Sequence, residues 1–233
     1  MIVGSGLLGR AFSTSKFDFS NFVVFSSGVS NSQEYDIREF NREFKLLKSV
    51  VEINPNKKLI YFSTCSIYEN KSKPYTIHKK NTEDYIQNYV SDYLILRLPN
   101  IVGISSNPNQ LTNFIFDKMS NGLDFTVFEN VYRSLIDVDD IPLITKYLIE
   151  SNIGNLLIDI AFNNGISMKN LIHVFEKALN IKAVVNFQSS DLLNYSVDNS
   201  LFLDIISEKY NGEEFNVLPE NIINKYYKNR LFL

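Results

Sequence analysis

Residues 1–9 read Met1-Ile2-Val3-Gly4-Ser5-Gly6-Leu7-Leu8-Gly9. Three residues suited to a short strand run into glycines spaced G-x-G-x-x-G, and a helix opens near Leu7. Strand, glycine turn and helix in that order match the fingerprint of a dinucleotide-binding unit. Without a side chain, Gly6 lets the backbone approach a pyrophosphate, whose charge the helix N-terminus at Leu7 and Leu8 favours. The plainer reading is a tight turn with close helix–sheet packing, and the turn alone does not decide between the two.

Beyond the turn, strand and helix signals alternate. NFVVF at 21–25 is an apolar β-branched run closed by Ser26, Ser27 and Gly28. Phe40, Phe44, Leu47 and Val51 recur at three and four, which predicts a helix over 36–52 ended by Asn54-Pro55-Asn56. LIYF at 59–62 is a third strand, a helix is expected over 75–89, and YLILRL at 93–98 is a fourth strand stopped by Pro99. Residues 104–135 are less regular, with a helix expected over 111–119. Asp139-Asp140 opens another helix, where carboxylates suit the exposed N–H groups. A further strand falls at 156–161, Ser167 caps a helix running to Leu179, and a last helix lies near 219–227. Strands apolar throughout imply a parallel sheet covered on both faces: a Rossmann-like, doubly wound α/β fold. Ligands bind beyond the C-terminal ends of such strands. There stand the glycine turn, Ser26-Ser27-Gly28, the hydroxyl cluster Ser63-Thr64-Cys65-Ser66, and Pro99-Asn100.

The chain has 233 residues, 45% hydrophobic and 21% charged, which is room for one α/β domain with a small added lobe and excludes a disordered or fibrous chain. With 23 Lys+Arg against 26 Asp+Glu, the formal net charge of −3 argues against a nucleic-acid partner. A single cysteine points to a reducing compartment, and neither a bilayer-spanning apolar run nor a secretory signal is visible, so a cytoplasmic protein with no membrane partner is expected. His78 and His173 are isolated and read as surface or packing residues; no metal site is expected. Cys65 reads as a small buried side chain, and Asp139 and Asp140 as helix caps.

Tyr75 and Lys79 stand four apart, on one face of the expected helix. A nearby ammonium favours the phenolate, which would bring the tyrosine from about 10 toward neutrality and make it a general acid/base for hydroxyl–ketone interconversion. Thr64, ending the preceding strand, can hydrogen-bond the same substrate oxygen. A Tyr and Lys at this spacing are common and usually carry no chemistry; the glycine turn and the hydroxyl cluster give the pair its meaning.

The whole chain resembles an extended short-chain dehydrogenase/reductase, in the branch of NAD-dependent epimerases and dehydratases and sugar-nucleotide ketoreductases. The resemblance rests on the glycine turn, on Phe62-Ser63-Thr64-Cys65-Ser66-Ile67-Tyr68, and on Pro74-Tyr75-x-x-x-Lys79 with Glu83. It continues in Leu96-Arg97-Leu98-Pro99-Asn100-Ile101-Val102-Gly103 and in Arg133-Ser134-Leu135-Ile136-Asp137-Val138-Asp139-Asp140. It implies catalytic Thr64, Tyr75 and Lys79, with Lys79 also holding the nicotinamide ribose. NAD or NADP would lie against Gly4, Gly6, Leu7, Leu8, Gly9, Ser26, Ser27, Gly28, Tyr75, Lys79 and Pro99. A nucleotide-linked sugar would meet Ser66, Asn100 and Arg133, the arginine pairing with a diphosphate. Tyr68 matches a position that mainly packs.

The resemblance implies reduction or epimerisation of that sugar by hydride transfer, in surface polysaccharide synthesis. Dehydratases of this kind carry an acid/base pair beside the catalytic Ser/Thr, where Cys65 and Ser66 stand here. A non-catalytic member that binds a nucleotide sugar or a partner is the alternative. Val23-Val24-Phe25-Ser26-Ser27-Gly28 is similar to the family's fourth strand, so its second and third strands are expected to be reduced to the connection at 13–20. No acidic residue follows the turn where the ribose would be read; Phe25-Ser26-Ser27 stand there, and the choice between NAD and NADP stays open. Residues 1–163 are expected to form the core, with a substrate-lobe insertion at about 104–135, and residues 164–233 a small C-terminal substrate lobe. Family members often dimerise through the helix carrying Tyr-x-x-x-Lys and its neighbour, an arrangement that helices 36–52 and 75–89 permit.

Overall fold

A computed structural model describes residues 1–69, 71–162, 165–189, 197–208 and 215–230. Strand β1 (Ile2–Val3) passes through the glycine turn into α1 (Leu7–Thr14), and a short connection leads to β2 (Phe22–Phe25). Helix α2 (Ile37–Glu52) starts where Asp36 accepts the Arg38 N–H, as a carboxylate at a helix start should. Strand β3 (Lys58–Thr64) follows, then α3 (Pro74–Tyr89), whose proline sits where a missing N–H costs nothing, and β4 (Tyr93–Leu98). Pro99 ends that strand as expected. The chain then forms β5 (Asn100–Val102), α4 (Leu111–Ser120), β6 (Phe125–Phe128), β7 (Tyr132–Arg133) and β8 (Leu135–Asp137). Next come α5 (Ile141–Glu150), β9 (Leu156–Asp159), β10 (Ile166–Ser167), α6 (Met168–Leu179), β11 (Val185–Gln188), α7 (Ser200–Ser207) and α8 (Pro219–Tyr227).

The central sheet is parallel throughout, in the order β1-β2-β3-β4-β9. Strand β1 is its edge: among the described residues no strand pairs with its outer side, and the chain crosses directly from α1 to β2. The shortened Rossmann-like sheet inferred from the sequence is the one observed. Side chains alternate across the strands. Ile60, Phe62, Leu94 and Leu96 face Ala11 and Phe12 of α1, Ile141, Ile144 and Leu148 of α5, and Phe202 of α7. Leu59, Tyr61, Val23, Phe25 and Ile95 face Leu47 and Val50 of α2 and Ile86 of α3. Each fully buried aliphatic or Phe side chain contributes about 1.5–3 kcal/mol.

A second core joins Ile115 of α4, Phe125 and Val127 of β6, Leu171 and Phe175 of α6, and Ile222 and Tyr227 of α8. Three two-stranded ladders (β5–β8, β6–β11 and β7–β10) tie this part together. The stretch after the last sheet strand is divided between the cores: α7 packs on the central sheet, while α6 and α8 pack against α4. The expected boundary at 163/164 lies outside the described residues.

One cap differs from expectation. It is Asp137 that accepts the Asp139 N–H, at 3.0 Å, while Asp140 stands at the start of α5 without capping it. The Asp140 Oδ2 instead accepts the Asn216 N–H at 2.9 Å, because the chain before α8 folds back over this corner. Among the described residues no helix is long and apolar enough to cross a membrane.

Candidate active site

The strand ends open into a cleft of about 430 Å³. Gly6, Leu7 and Leu8 form one wall, Ser26 and Gly28 the floor, and Thr64, Ser66, Tyr75, Lys79, Pro99 and Asn100 the far side. A neighbouring hollow of about 390 Å³ shares Ser66, Tyr75 and Asn100 with the cleft and contains Arg133. Gly4, Gly9 and Ser27 do not line the cleft. The two glycines build its wall from behind, and the Ser27 carbonyl accepts from Arg42 at 3.3 Å.

The three glycines have separate roles. Gly4 has φ +112°, and a Cβ there would lie 2.7 Å from the Ser26 backbone. A Cβ on Gly9 would lie 2.2 Å from the Gly4 carbonyl oxygen, so α1 packs directly on the turn. A Cβ on Gly6 would meet nothing within 4 Å, because it points into open space at the start of α1. That is the surface a phosphate needs: unobstructed backbone at a helix N-terminus.

Thr64, Tyr75 and Lys79 converge on the cleft from two neighbouring segments. Thr64 ends β3, and its Oγ1 accepts the Ser66 N–H at 3.1 Å, capping the short helical turn Cys65–Tyr68. Thr64 and Tyr75 both line the cleft. Pro74 starts α3 one residue ahead of Tyr75, so Tyr75 and Lys79 fall on its inner face, both nearly fully buried. The Lys79 ammonium lies 5.9 Å from the Tyr75 ring centre.

The expected lowering of Tyr75 is not what the site produces. Burial pushes its phenol up, Lys79 pulls it down, Glu43 pushes it up and Thr64 pulls it down; the balance lies above the ordinary value of 10. Burial is the largest cause, and a residue that the sequence did not single out adds to it. Glu43 of α2, with no solvent exposure, accepts from the Lys79 ammonium at 2.9 Å and from the Tyr61 hydroxyl at 2.6 Å. Glu43 sits between the apolar positions that marked the helix, and only its side-chain chemistry at that register would have shown it. The polar run at 105–110, read simply as irregular, also lines the cleft. Arg10 crosses the mouth and donates to the Ile104 carbonyl at 2.9 Å.

In the neighbouring hollow, Arg133 Nη2 lies 2.6 Å from Glu69, and Asn100 donates to the Ser134 carbonyl at 3.1 Å. Arg97 forms a two-point pair with Glu83, 2.8 and 2.6 Å, beneath Ser63, which donates to the same Glu83 at 2.6 Å. Tyr68 joins this network, donating to Asp159 at 2.6 Å and accepting from Arg97 at 2.8 Å, so its position does more than pack. Cys65 is buried and its thiol is pushed up, burial being the largest cause, as for an unreactive side chain. His78 packs, stacked on Phe40 with ring centres 4.8 Å apart, its Nε2 3.0 Å from Glu43; His173 pairs with Glu176 at the surface. Among the described residues no group of three or more His, Cys, Asp or Glu side chains is placed to hold a metal ion.

These residues fit the pyrophosphate-to-nicotinamide half of a dinucleotide. The open Gly6 backbone suits the phosphates, and Lys79 closes the floor so tightly that a Cβ on Gly28 would lie 2.8 Å from its Nζ.

The model of the NAD dependent epimerase/dehydratase family matches residues 6–161. No curated protein matches the sequence. Among solved structures, MoeE5 with UDP-glucose and NAD superposes with a TM-score of 0.73 at 12% identity, over 90% of this chain and 79% of that one. The UDP-glucose 4-epimerase of Bifidobacterium longum, with NAD+ and UDP, gives 0.69 at 17% identity over 92% and 76%. The UDP-glucuronic acid 4-epimerase of Bacillus cereus, with UDP-glucuronic acid and NAD, gives 0.71 at 18% over 91% and 75%. These likenesses establish the fold.

Proposed function

The chain belongs to the NAD-dependent epimerase/dehydratase family, and on that premise we propose that it interconverts a ketone and a hydroxyl on a nucleotide-linked sugar. The observation that carries this reading is the convergence of Thr64, Tyr75 and Lys79 on one cleft beside the open backbone of Gly6. The chemistry NAD supplies when bound is gain or loss of hydride at the reacting carbon. Tyr75 gives or takes the hydroxyl proton at its phenol oxygen, and Thr64 hydrogen-bonds the same substrate oxygen. Lys79 presents its ammonium beneath Tyr75 and toward the ribose of the cofactor.

The structural neighbours hold UDP-sugars and NAD, which supports a nucleoside-diphosphate sugar as the substrate class here. Ser66, Asn100 and Arg133 would receive it in the adjoining hollow, with Arg133 exchanging Glu69 for a diphosphate; a guanidinium suits either anion. Cys65 next to Thr64 supports reduction or epimerisation over dehydration. The same reading places the protein in the cytoplasm, in surface polysaccharide synthesis, and as a homodimer through α2 and α3.

The test is turnover. A UDP-4-ketohexose offered with NADH should consume absorbance at 340 nm, and Tyr75→Phe should abolish that loss while leaving the thermal unfolding unchanged. Equal rates in the two proteins would refute the reading. One observation favours the alternative of a binding member without catalysis: Lys79 and Arg133 are already paired with carboxylates. On that alternative UDP-glucose binds, Lys79→Ala does not weaken it, and no ketosugar is reduced.

A further inference from the structure

Glu43 is built into the site more firmly than a surface ion pair requires. Three donors from three segments meet its carboxylate: the Tyr61 hydroxyl of β3 at 2.6 Å, the Val29 N–H after β2 at 2.6 Å, and the Lys79 ammonium of α3 at 2.9 Å. His78 Nε2, also of α3, stands 3.0 Å away. The same ammonium donates to the Tyr61 oxygen at 3.1 Å and forms part of the cleft wall. A carboxylate sealed from water is tolerated only when paired and hydrogen-bonded, and this one is.

The charges fix what this arrangement does. The titratable groups facing the pocket under Tyr75 are Glu43 from α2, Tyr61 from β3, and His78 and Lys79 from α3. With Tyr75 protonated, one carboxylate balances one ammonium. Ionising Tyr75 would set a second anion beside the Lys79 ammonium that Glu43 already pairs, in a space of low dielectric, which is costly. We propose that Glu43 is a positioning residue that takes up the charge of Lys79 and so keeps Tyr75 protonated in the resting site, the form from which carbonyl reduction starts.

This inference rests on the proposed function and narrows it from keto/hydroxyl interconversion to reduction. In that direction the carbonyl carbon gains a hydride from reduced nicotinamide, which is thereby oxidised. The π pair moves to oxygen, the oxygen takes the Tyr75 proton, and the phenolate is refilled from water in the cleft. Epimerisation begins instead with oxidation of an alcohol, which needs the phenolate already present in the resting site, the form that Glu43 disfavours.

The test reads ionisation directly, in the intact chain without cofactor or substrate, so it succeeds or fails independently of turnover. Protein carrying 13Cζ-tyrosine is titrated by NMR, with the Tyr75 resonance assigned by its loss in Tyr75→Phe. Tyr75 of the natural chain should titrate above the ordinary phenol value of about 10. In Glu43→Gln, which keeps an acceptor but removes the charge, the midpoint should fall by about one pH unit or more. Glu43→Asp, which restores the charge, should return it to the natural value. An unchanged midpoint in folded Glu43→Gln overturns the proposal, as does a fall of equal size in Glu43→Asp. Should Glu43→Gln fail to fold, the natural chain still decides: a Tyr75 midpoint at or below the ordinary value overturns the proposal by itself.

Discussion

The Lys79 ammonium lies 2.9 Å from Oε1 of Glu43, and both side chains are sealed from solvent. Burial would push the Glu43 carboxyl up, yet Lys79, His78 and Tyr61 hold it well below the usual carboxylate range. Because the folded value is depressed, the pair contributes stability that is present above the unfolded value of 4.5 and is lost as pH falls below it. Glu43→Ala leaves the ammonium buried without its carboxylate and should cost about 3–5 kcal/mol. Denaturant unfolding at pH 7 and pH 4 checks both statements: the variant should be much less stable at pH 7 and should lose less on acidification.

The glycine turn separates binding from folding. Gly6→Val adds its side chain to open space and should leave the unfolding temperature unchanged while abolishing cofactor binding. Gly9→Ala forces a methyl group against the Gly4 carbonyl and should cost about 1–3 kcal/mol, with binding lost through a displaced α1. Paired thermal melts and NADH titrations on the two variants distinguish the roles.

Asp140 supplies a pH dependence of opposite sign to that of Glu43. Burial, with Asp137 and Asp139 adding to it, pushes its carboxyl up to about 6, against opposing effects of the Asn216 N–H and Lys225. A raised folded value means that stability is fully present below the unfolded 3.8 and falls as pH rises through 6. Asp140→Asn keeps an acceptor for the Asn216 N–H and should stabilise the protein by about 1–2 kcal/mol at pH 8, allowing for partial solvent access, and by almost nothing at pH 4. Unfolding free energies at those two pH values give the answer.

The sequence carried the sheet and its helices because their signals are long and local. Apolar runs of four to six residues marked β2, β3, β4 and β9, Ser167 capped α6, and Pro219 opened α8. Strands of two to four residues such as β5, β7, β8 and β11 hold too few alternations to rise above chance, and their partners lie far away in sequence. Helix α7 was missed because its apolar residues follow a polar stretch. In the site, the spacing of Tyr75 and Lys79 revealed the pair, and the position of Thr64 followed from the strand. The charge state of that pair was not legible, since it depends on Glu43, 36 positions before Lys79 on another element. Glu43 does fall on the buried stripe, three after Phe40 and four before Leu47, but that register does not say which cation its carboxylate meets.

The central claim is that this cleft holds a nicotinamide dinucleotide against Tyr75. Titration of NADH, followed by its fluorescence up to millimolar concentration, tests it most directly. The natural chain should show a saturable enhancement that Gly6→Val removes. A signal that never saturates, or one unaltered in Gly6→Val, would contradict it.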